Sequence, residues 1–219
     1  EPPKRTARRL EMSDPRVAQP RMIRTVLAAE RDPGAQEDAA ALTVLAALLG
    51  GSSQTSYLAQ QLTLPGTALW AGASYDGLSL DRTEFMLSLV PAEGTPPEEA
   101  EAALDEALAQ FLAEGPDEAD LERVKTRIRA EEIYSRDSAH GRAYDYGQGL
   151  STSLTVQDVN DWPDILDAVT AEDVMAAARD VLQAPAVTGW LLPAPAKAEA
   201  AATQEPAPAT PDEQTEVQG

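Results

Sequence analysis

The sequence predicts an α+β fold, a mainly antiparallel sheet with helices packed on one face. Strand-like segments are concentrated in the first half, most of the second half is helical, and a last strand closes the chain. Separate runs of strands and helices are typical of α+β domains rather than of alternating α/β sheets. The chain has 219 residues, 43% of them apolar, which is enough for one domain with its own core.

Four strands and two helices are predicted in the first half. Alternating and β-branched residues indicate the strands, and Phe85, Leu87 and Leu89 share one face of the fourth. Apolar residues recur at helical spacing before Gly50 and Gly51, which end the first helix. The predicted strands are 8–12, 21–28, 68–75 and 83–90, and the predicted helices are 36–49 and 55–63.

The second half is predicted to hold five helices and one strand. A Thr-Pro-Pro-Glu sequence at 95–98 opens the first of these helices. Thr170, followed by Asp173 at the third helical position, is typical of a helix start with a threonine N-cap. The first of these helices is expected to end at 113. The other four are expected at 117–134, 138–149, 156–169 and 171–182, and the strand is expected at 186–192.

Two domain-level expectations concern the ends of the chain. Residues 1–192 are predicted to form the folded domain, and residues 193–219, rich in Ala, Pro and Glu, are predicted to be a disordered tail. The chain begins with Glu1 and has no apolar signal segment, which indicates a processed chain or a fragment. Its beginning therefore does not indicate the compartment.

Composition excludes several kinds of site and partner. The chain has no cysteine and one histidine, so it offers no disulfide scaffold, no thiol nucleophile and no Cys-based or His-cluster metal site. A formal net charge of −20 repels phosphate backbones, so we expect no nucleic-acid partner. No apolar run approaches the roughly 20 residues that span a bilayer, so we expect no membrane span.

The remaining polar motifs are interpreted structurally rather than chemically. His140 lies beside Asp137, but the sequence has no nucleophile elbow, so a surface or helix-end position is expected. The Gly-Gly-Ser-Ser sequence at 50–53 is interpreted as a helix end, and the acids at 98–106 as helix-dipole partners on a solvated face. Tyr144 and Tyr146 are two residues apart, so at most one can face a cleft. On these grounds, the chain contains no catalytic site.

Several segments together indicate a family. They are the Glu-Pro-Pro start with residues 8–20, the Ala-Leu-rich helix ending in Gly50 and Gly51, residues 56–75, residues 114–125, and the Ala-Val-Thr-Ala-Glu-Asp-Val sequence at 168–174. In order and spacing they resemble the second, non-zinc-binding half of bacterial pitrilysin/insulinase-type zinc metallopeptidases, the inverzincin group. The resemblance covers about residues 1–192.

This resemblance implies one of two homologous α+β halves that close over a peptide chamber, with the H-x-x-E-H zinc motif in the other half. Relatives place an Arg and a Tyr, seven residues apart, against the substrate. The matching positions here are Thr63 and Trp70, so that contact is lost or replaced, although a Trp could pack against a peptide. We expect this stretch to face the chamber; the alternative is that Trp70 is an inward-facing strand residue.

The favoured function is a non-catalytic C-terminal domain of a zinc metalloendopeptidase that helps to enclose extended peptides. No cofactor is expected in this chain, and zinc is expected in the missing N-terminal half. The alternatives are an inactive partner subunit or peptide-binding module of a heteromeric peptidase, and a free-standing scaffold. Expected partners are the catalytic half or a separate active subunit and a peptide, with homo- or heterodimers possible. The expected compartment is the bacterial periplasm or cytoplasm, and the resemblance favours the periplasm.

Overall fold

A five-stranded sheet with helices on one face forms the part of the chain, residues 6–194, that the computed structural model describes. The sheet order is β1-β5-β2-β4-β3. The strands are β1 Arg8–Asp14, β2 Arg21–Ala28, β3 Ala68–Tyr75, β4 Thr83–Pro91 and β5 Val187–Pro193. The helices are α1 Glu37–Gly50, α2 Pro97–Glu114, α3 Glu118–Asp137, α4 Ala139–Ser151, α5 Val156–Ala168 and α6 Ala171–Leu182, and a π-helical turn covers Ala59–Thr63.

Antiparallel pairing dominates the sheet, as predicted. β2 pairs antiparallel with both β4 and β5, and β3 pairs antiparallel with β4. The exception joins the two ends of the domain, where β1 runs parallel to β5 with Arg8 opposite Val187. The first and last strands of the domain are therefore neighbours at one edge of the sheet.

The core lies between the sheet and the helices. The predicted face of β4, formed by Phe85, Leu87 and Leu89, is buried, and Met22 of β2 lies opposite Leu89 on the same side. The apolar side of α1 and the buried residues of α2, α5 and α6 belong to the same cluster. Burial of these side chains on one face gives the sheet one core face and one face without helices.

Helix α1 makes the closest approach to the sheet. A Cβ atom at Gly50 would lie 1.8 Å from the backbone nitrogen of Ala73 in β3. Glycine is therefore required at this helix end because the two backbones leave no space for a side chain. The contact holds the end of α1 against the middle of the edge strand β3.

Two helices begin with reciprocal capping boxes. The Thr170 hydroxyl accepts a hydrogen bond from the Asp173 backbone N–H, and the Asp173 carboxylate accepts one from the Thr170 backbone N–H at 2.9 Å. This confirms the helix start predicted at Thr170. Thr155 and Asp158 form the same arrangement at the start of α5, and each box satisfies backbone donors that a helix start leaves open.

The structure differs from the prediction at several element ends and in the type of one helix; β1, for example, continues to Asp14 and α3 to Asp137, past the predicted ends at 12 and 134. The expected helix over 55–63 is largely a π-helical turn, Ala59–Thr63. Strand β5 extends to Pro193, which lies opposite Asp14, and the Ala194 N–H donates to the Asp14 carbonyl at 3.2 Å. Strand β5 thus ends one residue later than predicted. Residues 1–5 and 195–219, which include almost all of the predicted tail, lie outside the described residues.

Candidate peptide-binding face

The sheet face without helices carries an apolar surface, which we call the open face. The strand registers put its members on one side, with Leu10 and Ile23 flanking Gly189, Met12 beside Leu191, and Trp70 beside Val90. Leu10 is 63% exposed and Met12 is 59% exposed. The open face consists of Leu10, Met12, Ile23, Trp70, Gly72, Met86, Val90, Gly189 and Leu191.

Exposure of this kind distinguishes the open face from an ordinary surface. Single exposed apolar side chains are common, but a contiguous apolar area typically marks a site of contact with another molecule. The members come from all five strands and so extend across the sheet, with polar positions among them such as Ser88 between Ile23 and Gly72. The open face is therefore the strongest candidate for a peptide- or protein-binding surface among the described residues.

Trp70 lies on the open face of the edge strand β3. The neighbouring position Ala71 pairs with Leu89 on the core side, so Trp70 points away from the helices. Its ring extends along the strand over Gly72, where a Cβ atom would lie 2.7 Å from ring carbon Cζ2. Trp70 remains 40% exposed, whereas Trp190 of β5, on the core side, is 3% exposed. The indole therefore rests on the glycine and presents its other side outward.

Thr63 lies at the end of the π-helical turn that precedes β3. Its side chain is half-buried, and its carbonyl accepts the Gly66 N–H at 3.2 Å in the turn that leads into the strand. The turn packs against β3. The two predicted substrate-contact positions therefore lie on consecutive, touching elements, with Trp70 exposed on the open face and Thr63 at the end of the turn before it.

Beneath the open face, Glu101 of α2 joins three strands on the core side. Its carboxylate accepts hydrogen bonds from Arg9 Nη1 at 2.7 Å, Arg24 Nη2 at 3.0 Å and Trp190 Nε1 at 2.8 Å. These donors come from β1, β2 and β5, the three strands that carry Leu10 and Met12, Ile23, and Leu191 respectively. One buried acceptor thus fixes the relative positions of the strands that form half of the open face.

The charge of Glu101 is stabilised where it lies. Burial raises the pKa of its carboxyl group. Hydrogen bonds from Arg9, Trp190 and Arg24 and the positive charge of Arg9 lower that pKa by more than burial raises it. The net effect is a pKa below the ordinary range of a glutamate, so the ionised form is favoured. This corrects the interpretation of the acids at 98–106 as a solvated face, because Glu101 is mostly buried in ion pairs and Asp105 also pairs with Arg24.

The other residues considered in the sequence do not gather into a reactive site. His140 is exposed in the first turn of α4, the surface position that was expected. Gly51 caps α1, as the helix-end interpretation of that motif predicts. Tyr144 is exposed while Tyr146 lines a cavity, which agrees with the expectation that only one of the two faces a cleft.

The described residues do not suit a resident metal ion. Within residues 6–194, no group of three His, Asp or Glu side chains is placed to hold one. A zinc site therefore does not fit this part of the chain, and no catalytic step is assigned to a metal here. None of the helices in the same range is long and apolar enough to cross a bilayer.

Sequence reasoning missed Leu10, Met12 and Ile23. The signal was present as the alternation of Leu10 and Met12 with Arg9 and Glu11, but alternation does not say which face meets the core. In the structure the charged side of β1 faces the helix layer, because Arg9 pairs with Glu101, and the apolar side faces outward.

Comparison with known proteins identifies a family. Residues 1–128, more than half of the chain, match the family described as the peptidase M16 inactive domain. Among curated proteins, none matches this chain by sequence.

Solved structures share the fold. A protease from Helicobacter pylori is 18% identical with a TM-score of 0.77, and the match covers 86% of this chain and 45% of that one. An inactive peptidase domain from Bordetella parapertussis is 14% identical with a TM-score of 0.71, covering 84% of this chain and 97% of that one. The periplasmic protease PqqL from Escherichia coli is 18% identical with a TM-score of 0.64, covering 86% of this chain and 21% of that one. The chain thus spans less than half of the Helicobacter protein and nearly all of the Bordetella domain.

Proposed function

We propose, from the premise that this chain belongs to the peptidase M16 inactive-domain family, that it is the non-catalytic C-terminal domain of a zinc-dependent metalloendopeptidase. In this proposal the open face helps to enclose and bind extended peptides. A zinc site in an N-terminal half, outside this chain, cleaves them. The domain then contributes binding and confinement rather than chemistry.

The observation that carries the proposal is the position of Trp70. A tryptophan that served only the core would be buried as Trp190 is, but Trp70 is placed on the open face with one side of its ring free. A rigid aromatic ring supported by the backbone at Gly72 can pack on a peptide with little loss of side-chain freedom. It occupies one of the two positions at which the resemblance implies contact with substrate.

Thr63 supports the proposal in a weaker way. A guanidinium at this position would offer several donors, whereas a threonine offers one hydroxyl donor. Binding here would therefore depend more on apolar packing against Trp70 and its neighbours than on hydrogen bonds to the peptide backbone. This predicts a preference for peptides with apolar side chains.

A second candidate is a peptide-binding module or inactive subunit that works with a separate active chain. The Bordetella domain, matched over 97% of its length, is described as the inactive domain of a zinc protease, and that description agrees with the first candidate. Both candidates use the same open face. The sequence that precedes Glu1 in the gene distinguishes them, because an H-x-x-E-H motif in the same chain supports the first and its absence supports the second.

The test replaces Trp70 in the complete peptidase and compares it with two controls. Trp70→Ala should lower kcat/KM for peptide cleavage about three- to tenfold, the value of one lost aromatic packing contact. Trp70→Tyr keeps a ring and should retain most of the activity. Leu80→Ala removes a more exposed apolar side chain from the β3–β4 loop, outside the open face, and should leave kcat/KM unchanged.

Stability must be measured beside activity. Trp70→Ala should shift the denaturation midpoint little, whereas Trp190→Ala, deep in the core, should cost about 3–5 kcal/mol. A normal kcat/KM per folded molecule in Trp70→Ala, or a loss of stability equal to that of Trp190→Ala, would refute the substrate-facing role.

The proposal also places the protein in the bacterial periplasm, which is where the description of PqqL places that protease. Cell fractionation with an antibody against the chain tests this, and recovery with cytoplasmic markers would contradict it.

A further inference from the structure

A second candidate site lies in the helical layer, away from the open face. A cavity of about 410 Å³, open to solvent, lies between helices α3, α4 and α5 and the loops that follow β2 and β3. Its lining combines charged, aromatic and aliphatic side chains: Arg31, Leu78, Glu132, Arg142, Asp145, Tyr146, Val159, Asn160 and Trp162. Nothing in the proposed peptidase role uses this cavity.

Arg31 is the unusual member of the lining. It is 8% exposed, and its guanidinium carbon lies 3.7 Å from the centre of the Trp162 ring. Its Nε donates to Gln36 Oε1 at 2.8 Å, and its backbone N–H donates to the Gly77 carbonyl at 2.9 Å. The guanidinium is therefore held by Gln36 and Trp162, and the backbone that carries it is fixed by Gly77.

One end of this guanidinium lacks a partner. Among the described residues, Arg31 Nη2 is the buried side-chain atom without a hydrogen bond. A buried donor of a charged group that is left unpaired destabilises the fold, because it has lost its water without gaining a partner. Burial lowers the pKa of Arg31 to about 10, although Glu132, Tyr75, Asp158 and Asp76 act in the opposite direction. An acceptor brought to Nη2 would relieve both costs.

The charges around the cavity are balanced in sign. Arg142 of α4 adds a second guanidinium, and Glu132 of α3 and Asp145 of α4 add two carboxylates. Asp145 accepts the Ser135 hydroxyl at 2.8 Å, and a carboxylate has capacity for further donors. A simple anion would meet two carboxylates as well as two guanidinium groups, whereas a ligand with one charge of each sign would find a partner for both.

We propose that this cavity binds a small zwitterion, an α-amino acid with an apolar side chain. The ligand carboxylate pairs with Arg31 Nη2 and Arg142, and the ligand ammonium pairs with Glu132 and Asp145. Leu78, Val159 and Trp162 supply the apolar wall for the side chain. The volume is sufficient for one amino acid with water. This inference does not rest on the proposed peptidase function.

The test titrates the protein with three related probes in a calorimeter. L-phenylalanine should bind saturably with one site per chain. L-phenylalaninamide lacks the carboxylate and N-acetyl-L-phenylalanine lacks the ammonium, so each should bind about ten- to hundredfold more weakly, as expected for losing charged hydrogen bonds. Absence of saturable binding of L-phenylalanine, or equal binding of all three probes, would overturn the proposal.

Variants locate the site. Arg31→Gln should weaken L-phenylalanine binding by about the same factor as removal of the ligand carboxylate. Because Arg31 is buried and its loss could unfold the chain, Arg142→Gln provides a second test at an exposed position of the lining. Arg16→Gln, in the loop after β1, is the matched control and should bind normally. Binding that survives in folded Arg142→Gln at the strength of the control would contradict the assignment.

Discussion

At the scale of single residues, Glu101 has the largest influence on the arrangement of the strands. It joins Arg9, Arg24 and Trp190, which come from three strands, so its removal should loosen the β1–β5–β2 half of the sheet. Such a carboxylate is worth more than an exposed ion pair because it is mostly buried and accepts several charged hydrogen bonds.

Glu101→Gln should therefore destabilise the protein by about 1–3 kcal/mol at neutral pH. Because the pKa of Glu101 is lowered in the folded state, its carboxylate contributes stability above the ordinary glutamate pKa and loses it as the pH falls through the folded value. The difference in the free energy of unfolding between wild type and Glu101→Gln should thus become smaller at acidic pH. Urea denaturation at a series of pH values measures it.

Glu106→Gln is the matched control, since Glu106 is exposed on the same helix. Its free energy of unfolding should depend on pH in the same way as that of the wild type. A Glu101→Gln difference that stays constant down to strongly acidic pH would show that the lost charge is not the cause.

At the scale of elements, the contact between α1 and β3 requires a glycine, which has no side chain, at position 50. Gly50→Ala would place a methyl group 1.8 Å from the Ala73 backbone nitrogen, and neither backbone can move without separating helix from sheet. We expect a loss of about 3 kcal/mol or more, as for severe overpacking.

The control is Gly147→Ala in α4, where an added Cβ meets nothing within 4 Å. There alanine should stabilise the helix by about 0.5–1 kcal/mol. Thermal unfolding of both variants measures the contrast, and a Gly50→Ala variant as stable as wild type would show that the two elements are not in close contact.

The order of elements could be predicted because their signals are local. The Thr170 box and the alternation in β4 each reflect contacts within a few residues, so helix starts and strand faces are found close to where they were expected. The π-helical turn at Ala59–Thr63 and the extension of β5 to Pro193 depend on packing against other elements. Local patterns contain no information about those partners.

The candidate site could be predicted only in part, for the same reason. Trp70 was identified through its place in a family pattern, and the structure adds that it lies exposed above Gly72. Leu10 and Met12 could not be assigned to the open face, since that assignment depends on Glu101, more than 80 residues away in sequence. Nothing in the sequence indicated that Arg31 is buried beside a cavity, because an arginine in a loop before Asp-Pro-Gly is ordinarily solvated.

At the scale of the whole molecule, the domain should be stable without metal. Its core is a sheet covered by helices, and the described residues hold no set of metal ligands. We expect metal analysis of the purified chain to find less than one zinc per molecule, and a chelator to leave the denaturation midpoint unchanged. One tightly held zinc per chain, or chelator-sensitive peptide cleavage by the chain alone, would contradict this.

The parallel pairing of β1 with β5 has a consequence for synthesis on the ribosome. Arg8 finds its partner Val187 only after the rest of the domain has been made. At the usual rates of elongation this leaves the first strand waiting roughly 10–40 seconds. During that time β5 is absent from its place between β1 and β2, so β2, β4 and β3 can assemble while β1 cannot. The strand that is translated first is therefore expected to join the fold last, together with β5.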